Sequence, residues 1–257
     1  MLPPSTSSGA SELGGAAPAL HVPAPAPAPE LKVELDHPSI TRVFAIRHGE
    51  TDWNVAARIQ GQLDIGLNAT GQRQARRLGL ALADERLDAI YSSDLQRAWQ
   101  TAQAVAMAAG GACAVQAESG LRERGFGVFE GLSFAEIAQR WPDQSERWKR
   151  RDPAFGAAGG EVLHDFYQRC MTTLARLAQA HPGQTIAIVA HGGVLDCLYR
   201  AASHLALDAP RCWELGNAAI NRFLYSTQGF SRIGWNDTRH LDLKARDAGA
   251  PGDTPTA

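Results

Sequence analysis

The chain has 257 residues, 44% of them hydrophobic, which suits one α/β domain with a sizeable core plus flanking segments. Lys and Arg number 25 against 27 Asp and Glu, a net charge of −2, so the basic excess of a general nucleic-acid binder is absent and any anionic ligand must be held by a local cluster of cations. No apolar run is long enough to span a bilayer and the N-terminus lacks the regions of a signal peptide, so no membrane partner is expected and the cytoplasm is the expected compartment.

Residues 1–38 are rich in Pro, Ala, Ser and Gly, with alternating Pro and Ala from Pro23 to Pro29. Such a segment buries too little surface to offset its ordering entropy, and it reads as a disordered tail. The same reading applies to 244–257, which leaves 39–243 as the folded domain. Arg42–Ile46 reads as a strand. Thr70 is the expected cap of a helix over 71–83, with Ala75, Leu78 and Leu82 on one face. Leu87–Tyr91 reads as a strand, Ser92-Ser93-Asp94 as a loop and cap, and 95–108 as a helix. A strand over 112–116, a helix over 162–180, a strand over 185–190, a helix over 193–203 and a strand over 218–226 complete the alternation. That order predicts a three-layer α/β/α sandwich around a mostly parallel central sheet, with a lid-like excursion between about Gly131 and Gly160.

Two of these strands end alike, the first in Arg47-His48-Gly49-Glu50 and the second in His191-Gly192-Gly193. Ligands of open α/β sheets bind at the carboxyl ends of parallel strands, so both histidines are expected in one crevice. The glycines after them, Gly192 included, let backbone N–H groups approach an anion. A third strand delivers Arg97 to the first turn of a helix, where the helix dipole also favours an anion. Two arginines, two histidines and helix-end amides, without a set of metal-holding carboxylates, suit a phosphoryl group, with no metal and no cofactor. His48 would attack phosphorus as a neutral imidazole, its pKa depressed by the surrounding cations. Glu123, which follows the next predicted strand, is the candidate acid for the leaving oxygen, with Glu118 and Glu130 nearby.

At these residues the chain resembles the histidine phosphatase superfamily, the phosphoglycerate mutase-like family, from about Thr41 to Leu241. The resemblance is carried by Arg47-His48-Gly49-Glu50-Thr51 and Trp53-Asn54, then Arg58-Ile59-Gln60-Gly61, Asp64, Leu67, Gly71-Gln72 and Gln74-Ala75. It continues through Ser92-Ser93-Asp94-Leu95-Gln96-Arg97-Ala98, Glu123 with Gly125, Glu130-Gly131, Gly160-Glu161 and His191-Gly192-Gly193. It implies a phosphoglycerate mutase-like fold, His48 as nucleophile, Glu123 as proton donor, and Arg47, Arg97 and His191 as the phosphate pocket. It adds Asn54 as a phosphate contact and Thr51, Gln60 and Gly61 as positions bordering the substrate. The implied activity is hydrolysis of a small phosphorylated metabolite by a monomer or homodimer. The alternatives are a phosphoglycerate mutase-type phosphotransferase and a non-catalytic phospholigand-binding protein. Mutases of the family usually carry a longer insertion than residues 132–159, and a binding protein would be expected to have lost His48, His191 or Glu123.

Several other features read as structural. Lys149-Arg150-Arg151 reads as a solvated charged face, Trp141, Trp148 and Phe155 as lid or core, and 236–241 as a fold-closing element. His164, His181, His204 and His240 lack arginine partners at strand ends. The widely spaced Cys113, Cys170, Cys197 and Cys212 read as buried free thiols.

Overall fold

The computed structural model describes residues 37–111 and 113–242, so the tails predicted for the two ends fall almost wholly outside the described residues. The strands are β1 (Thr41–Arg47), β2 (Ala89–Ser92), β3 (Val115–Ala117), β4 (Thr185–Ala190), β5 (Ile220–Ser226) and β6 (Gly229–Asp237). They form one sheet in the order β3-β2-β4-β1-β5-β6. The first four run parallel, while β5 pairs antiparallel with β1 and with β6. The predicted parallel sheet therefore carries an antiparallel edge hairpin.

Every residue of β4 is buried, as a central strand covered on both faces must be. Its alternation splits the core. Ile186, Ile188 and Ala190 pack with Val43, Phe166, Leu174 and Leu198 beneath helices α6 (Leu163–Gln179) and α7 (Gly192–Ala202). Ala187 and Val189 pack with Phe44, Leu78, Ala102 and Val105 beneath α2 (Ala69–Ala81) and α3 (Gln96–Ala108). These are the three predicted layers.

Local caps differ from expectation. Asn68, not Thr70, caps α2, its Oδ1 accepting from Gly71 N at 2.8 Å. The α3 terminus is capped at long range, with Asp64 Oδ1 accepting from Gln96 N at 2.6 Å. Asp94 instead takes Arg122 in two hydrogen bonds. The third strand begins at Val115, because Gly110 and Gly111 take left-handed turns before it.

The excursion holds two short helices, α4 (Phe134–Arg140) and α5 (Pro142–Lys149), plus a small core of its own. Phe129, Ile137 and Phe155 are buried there, with Trp141 and Trp148 packed against them. Ahead of it a one-turn helix, α1 (Asp52–Val55), follows the loop at His48. That loop lies backbone to backbone against α2, since a Cβ on Gly71 would meet Glu50 O at 2.0 Å.

Candidate active site

β1 and β4 are adjacent and parallel, so Arg47 and Ala190 are register partners and the residues after them emerge together. The ring centroids of His48 and His191 lie 5.2 Å apart. His48 Nδ1 is 2.7 Å from Gly49 O, and a carbonyl can only accept, so the proton sits on Nδ1 and Nε2 carries the free lone pair. The peptide around it is fastened from the far side by Asn217, whose Nδ2 donates to His48 O at 3.1 Å and to Asn54 Oδ1 at 3.2 Å.

Arg97 is fully buried. Its Nε donates to His191 Nδ1 at 3.2 Å, and its two Nη atoms donate to Leu63 O and Gly61 O. Because His191 accepts at Nδ1, its neutral ring carries the proton on Nε2. That Nε2 is buried and has no partner among the described residues, and the same is true of Arg47 Nε. Arg47 is otherwise anchored through Nη1 to Leu215 O at 2.6 Å. Two unspent donors beside a bare imidazole nitrogen form a receptor for an anion that brings its own acceptors.

Glu123 closes the opposite side. Its Oε2 accepts from Gly193 N at 3.0 Å at the start of α7, and its Oε1 from Arg124 N at 2.9 Å. Glu130, the neighbouring carboxylate, is committed elsewhere: its Oε1 accepts from Gln62 N and Phe126 N and ties two loops together. Glu118 likewise caps the turn at Gly120. A Cβ on Gly193 would stand 2.2 Å from Glu123 Oε1. The displaced atom would be the end of a side chain, so the fold survives while the carboxyl moves. Gly193→Ala is therefore expected to lower kcat/KM on an alkyl phosphate by about 10²-fold, with the melting temperature little changed. Comparing initial rates with a thermal melt checks both halves.

Burial first, then the charges of Arg97 and Arg47, holds the His48 pKa well below the ordinary histidine range. Burial and then Arg97 do the same to His191. Burial also lowers Arg47, to about 10, which leaves it cationic at neutral pH. Both rings are thus neutral at pH 7. Unfolded histidine takes up a proton near pH 6.5 and these folded rings do not, so the unfolded state binds more protons as pH falls. Their contribution to stability therefore declines below about pH 6.5, by up to about 1.4 kcal/mol per pH unit for each ring, until the depressed folded values are reached. An NMR titration is expected to keep both rings neutral from pH 7.5 to 5.5, and titration of either near 6.5 would contradict the site's electrostatics.

The other expected positions divide. Asn54, Gln60, Gly61 and Gly192 line the cavity around His48, whose volume is about 820 Å³. Thr51 does not line it. It is buried and caps α1, its hydroxyl donating to Asn54 Oδ1, so it orients Asn54 rather than bordering the ligand. The run at 149–151 meets the expectation in part: Lys149 and Arg150 are exposed, with Lys149 paired to Glu146, while they also border the cavity, and only Arg151 is turned inward, to Leu207 O and Asp196. Trp148 lines it too, while Trp141 and Phe155 are packing residues. Cys170 and Cys197 are buried free thiols as expected, but Cys113 is half-buried and Cys212 exposed.

The sequence alone did not point to Asn217, Arg124 or Asp196. Asn217 precedes β5, whose antiparallel sense puts its entry beside the exit of β1. The short link Thr227-Gln228 shows only that β5 and β6 are antiparallel to each other, so no local signal gave the sense of β5 against β1. Arg124 and Asp196 are placed by tertiary packing, with no local motif.

A family model described as histidine phosphatase superfamily (branch 1) matches residues 43–238. Among curated proteins, Arabidopsis thaliana phosphoglycerate mutase-like protein 4 is 35% identical over 216 residues, covering 83% of this chain and 92% of that one. Arabidopsis thaliana metal-independent phosphoserine phosphatase is 34% identical over 214 residues, covering 82% and 87%. Among solved structures, a mycobacterial glucosyl-3-phosphoglycerate phosphatase complexed with VO3 aligns with a TM-score of 0.68 at 31% identity, covering 76% of this chain and 98% of that one.

Proposed function

The chain belongs to the histidine phosphatase superfamily, and on that footing we propose that it hydrolyses a phosphomonoester of a small metabolite through a phosphohistidine on His48. The observation that carries this reading is a His48 ring with its Nε2 free of the Gly49 bond, 5.2 Å from the His191 ring, in a site that holds two buried, unspent donors, Arg47 Nε and His191 Nε2. In the first displacement Nε2 bonds to phosphorus as the bond to the leaving oxygen breaks. The electron pair departs on that oxygen, which takes a proton from Glu123. In the second, water gives its proton to Glu123 and its oxygen to phosphorus, releasing inorganic phosphate and free His48. Arg47, Arg97 and His191 hold the equatorial oxygens, with Asn54 and the Gly192 amide as further contacts, while Gln60 and Gly61 border the leaving group. The relatives that support this reading carry both mutase-like and phosphatase names, and the short 132–159 segment favours hydrolysis.

The catalytic domain in this reading is 39–243, acting alone or as a homodimer, since all of these residues come from one chain. No described helix is long and apolar enough to cross a membrane. The buried arginines supply the positive charge that a metal gives other phosphatases, and the neutral His191 ring adds an N–H donor, so none is required. Against a panel of phosphomonoesters, inorganic phosphate is expected to appear and its rate to survive exhaustive EDTA. Loss of the rate restored by zinc or magnesium would contradict the metal-free chemistry. Transfer to an acceptor without release of phosphate would make the protein a mutase.

A further inference from the structure

The cavity of about 820 Å³ is lined by Arg47, His48 and Arg97 and also by residues outside the phosphoryl cluster, and its volume is in the range that holds a drug-sized ligand. Among these α7 presents Asp196, four residues past Gly192 and so about 6 Å further along the helix. Asp196 is 3% exposed and lines the cavity. Its Oδ2 is fully used, accepting from Arg151 Nη2 at 2.6 Å and Arg200 Nε at 2.9 Å. Its Oδ1 is buried with no hydrogen-bond partner among the described residues, and Arg211 Nε, which donates to Trp213 O at 3.0 Å, stands 3.9 Å away, beyond hydrogen-bond reach. The side chain is held rigidly, because Arg151 also donates to Leu207 O at 2.8 Å and so joins the excursion to the loop after α7. Phe134, stacked on Trp148 with ring centroids 5.0 Å apart, also lines the cavity.

A buried carboxylate oxygen without a donor is costly, so a ligand that brings one gains at that atom. The identity of the donor follows from charge. Asp196 contributes one negative charge, while Arg151, Arg200 and Arg211 contribute three positive ones. An ammonium would meet a net cationic cluster and a carboxylate has no proton to donate. A hydroxyl satisfies both, donating to Oδ1 while it or its neighbour accepts from an Nη of Arg211, whose Nε is held by Trp213 O. We propose that the substrate's leaving group is a sugar or other polyol, read by Asp196 Oδ1 together with Arg211 about one helical turn from the phosphoryl pocket. This inference rests on the phosphohydrolase reading and narrows its substrate class.

The test compares glucose 6-phosphate with cyclohexylmethyl phosphate, two esters of primary alcohols with rings of similar size and chemistry that differ in their hydroxyls. Wild-type kcat/KM is expected to favour the sugar ester by at least about tenfold, the scale of a hydrogen bond to a charged group. In Asp196→Asn the amide oxygen can keep the Arg151 and Arg200 bonds, and the amide nitrogen turns the orphan acceptor into a donor. That preference is then expected to fall by at least about tenfold. Equal kcat/KM on the two esters in the wild type, or a preference that survives Asp196→Asn, would overturn the proposal. Cleavage of other phosphomonoesters of the panel but of neither ester overturns the polyol proposal alone. If the wild type cleaves neither these esters nor any other phosphomonoester of the panel, the phosphohydrolase reading fails. Calorimetric binding of the same two esters to the wild-type protein then decides the hydroxyl preference on its own, with equal affinities overturning it.

Discussion

His48→Ala is expected to lower kcat on any phosphomonoester by at least about 10⁴-fold, because removal of a covalent nucleophile leaves only the binding of the transition state. The fold should hold. The loop is fastened through backbone atoms, with His48 N donating to Ala190 O and His48 O accepting from Ala218 N and Asn217 Nδ2, and alanine keeps all three. Imidazole loss also relieves the burial of a titratable ring, so stability at low pH is expected to rise slightly relative to wild type. A folded variant that keeps more than a tenth of wild-type kcat would place the nucleophile elsewhere.

Glu123→Gln separates the acid from the pocket. It keeps the carboxyl's shape and one oxygen, so only one of the Gly193 and Arg124 amides retains its acceptor, and it removes the transferable proton. An alkoxide cannot leave without a proton, so kcat/KM on an alkyl phosphate is expected to fall by about 10²–10⁴-fold. A p-nitrophenolate leaves unassisted, and its penalty should be smaller by at least about tenfold, since kcat/KM reports only steps up to phosphoryl transfer. Arg97→Ala, which removes charge from the phosphoryl group itself, should harm both substrates alike. Equal losses for Glu123→Gln on both would reassign the proton donor. Glu130 is already engaged with Gln62 and Phe126, so a water-borne proton would be the next candidate.

The sequence was most informative where local pattern decides structure. Arg47, His48 and His191 sit at strand ends, and Arg97 in a first helical turn, so alternation of strand and helix was enough to bring them together. The polarity of β5 was not legible, because a period of two reads the same in either direction, and Asn217 went unnoticed with it. The helix caps were misplaced for a related reason: Asp64 caps α3 from 32 residues away, where a local rule looks only to Ser93 or Asp94. In the charged run at 149–151 Lys149 and Arg150 are exposed as expected, and only Arg151 was misread, because hydropathy cannot tell a solvated residue from a cavity wall. Arg151 is turned inward at a left-handed φ of 55° by its bonds to Leu207 and Asp196. Thr51 was matched by its place in the motif, but its hydroxyl serves Asn54.

The central claim is covalent chemistry at His48 Nε2, and trapping the intermediate tests it most directly. Wild-type protein incubated briefly with a ³²P-labelled phosphomonoester and quenched in base is expected to carry label that is stable to alkali and lost in acid, the behaviour of a phosphoramidate. Peptide mapping should place that label on the segment containing Arg47-His48-Gly49, and it should be absent from His48→Ala. Label that survives acid, or that persists in His48→Ala, would contradict the account.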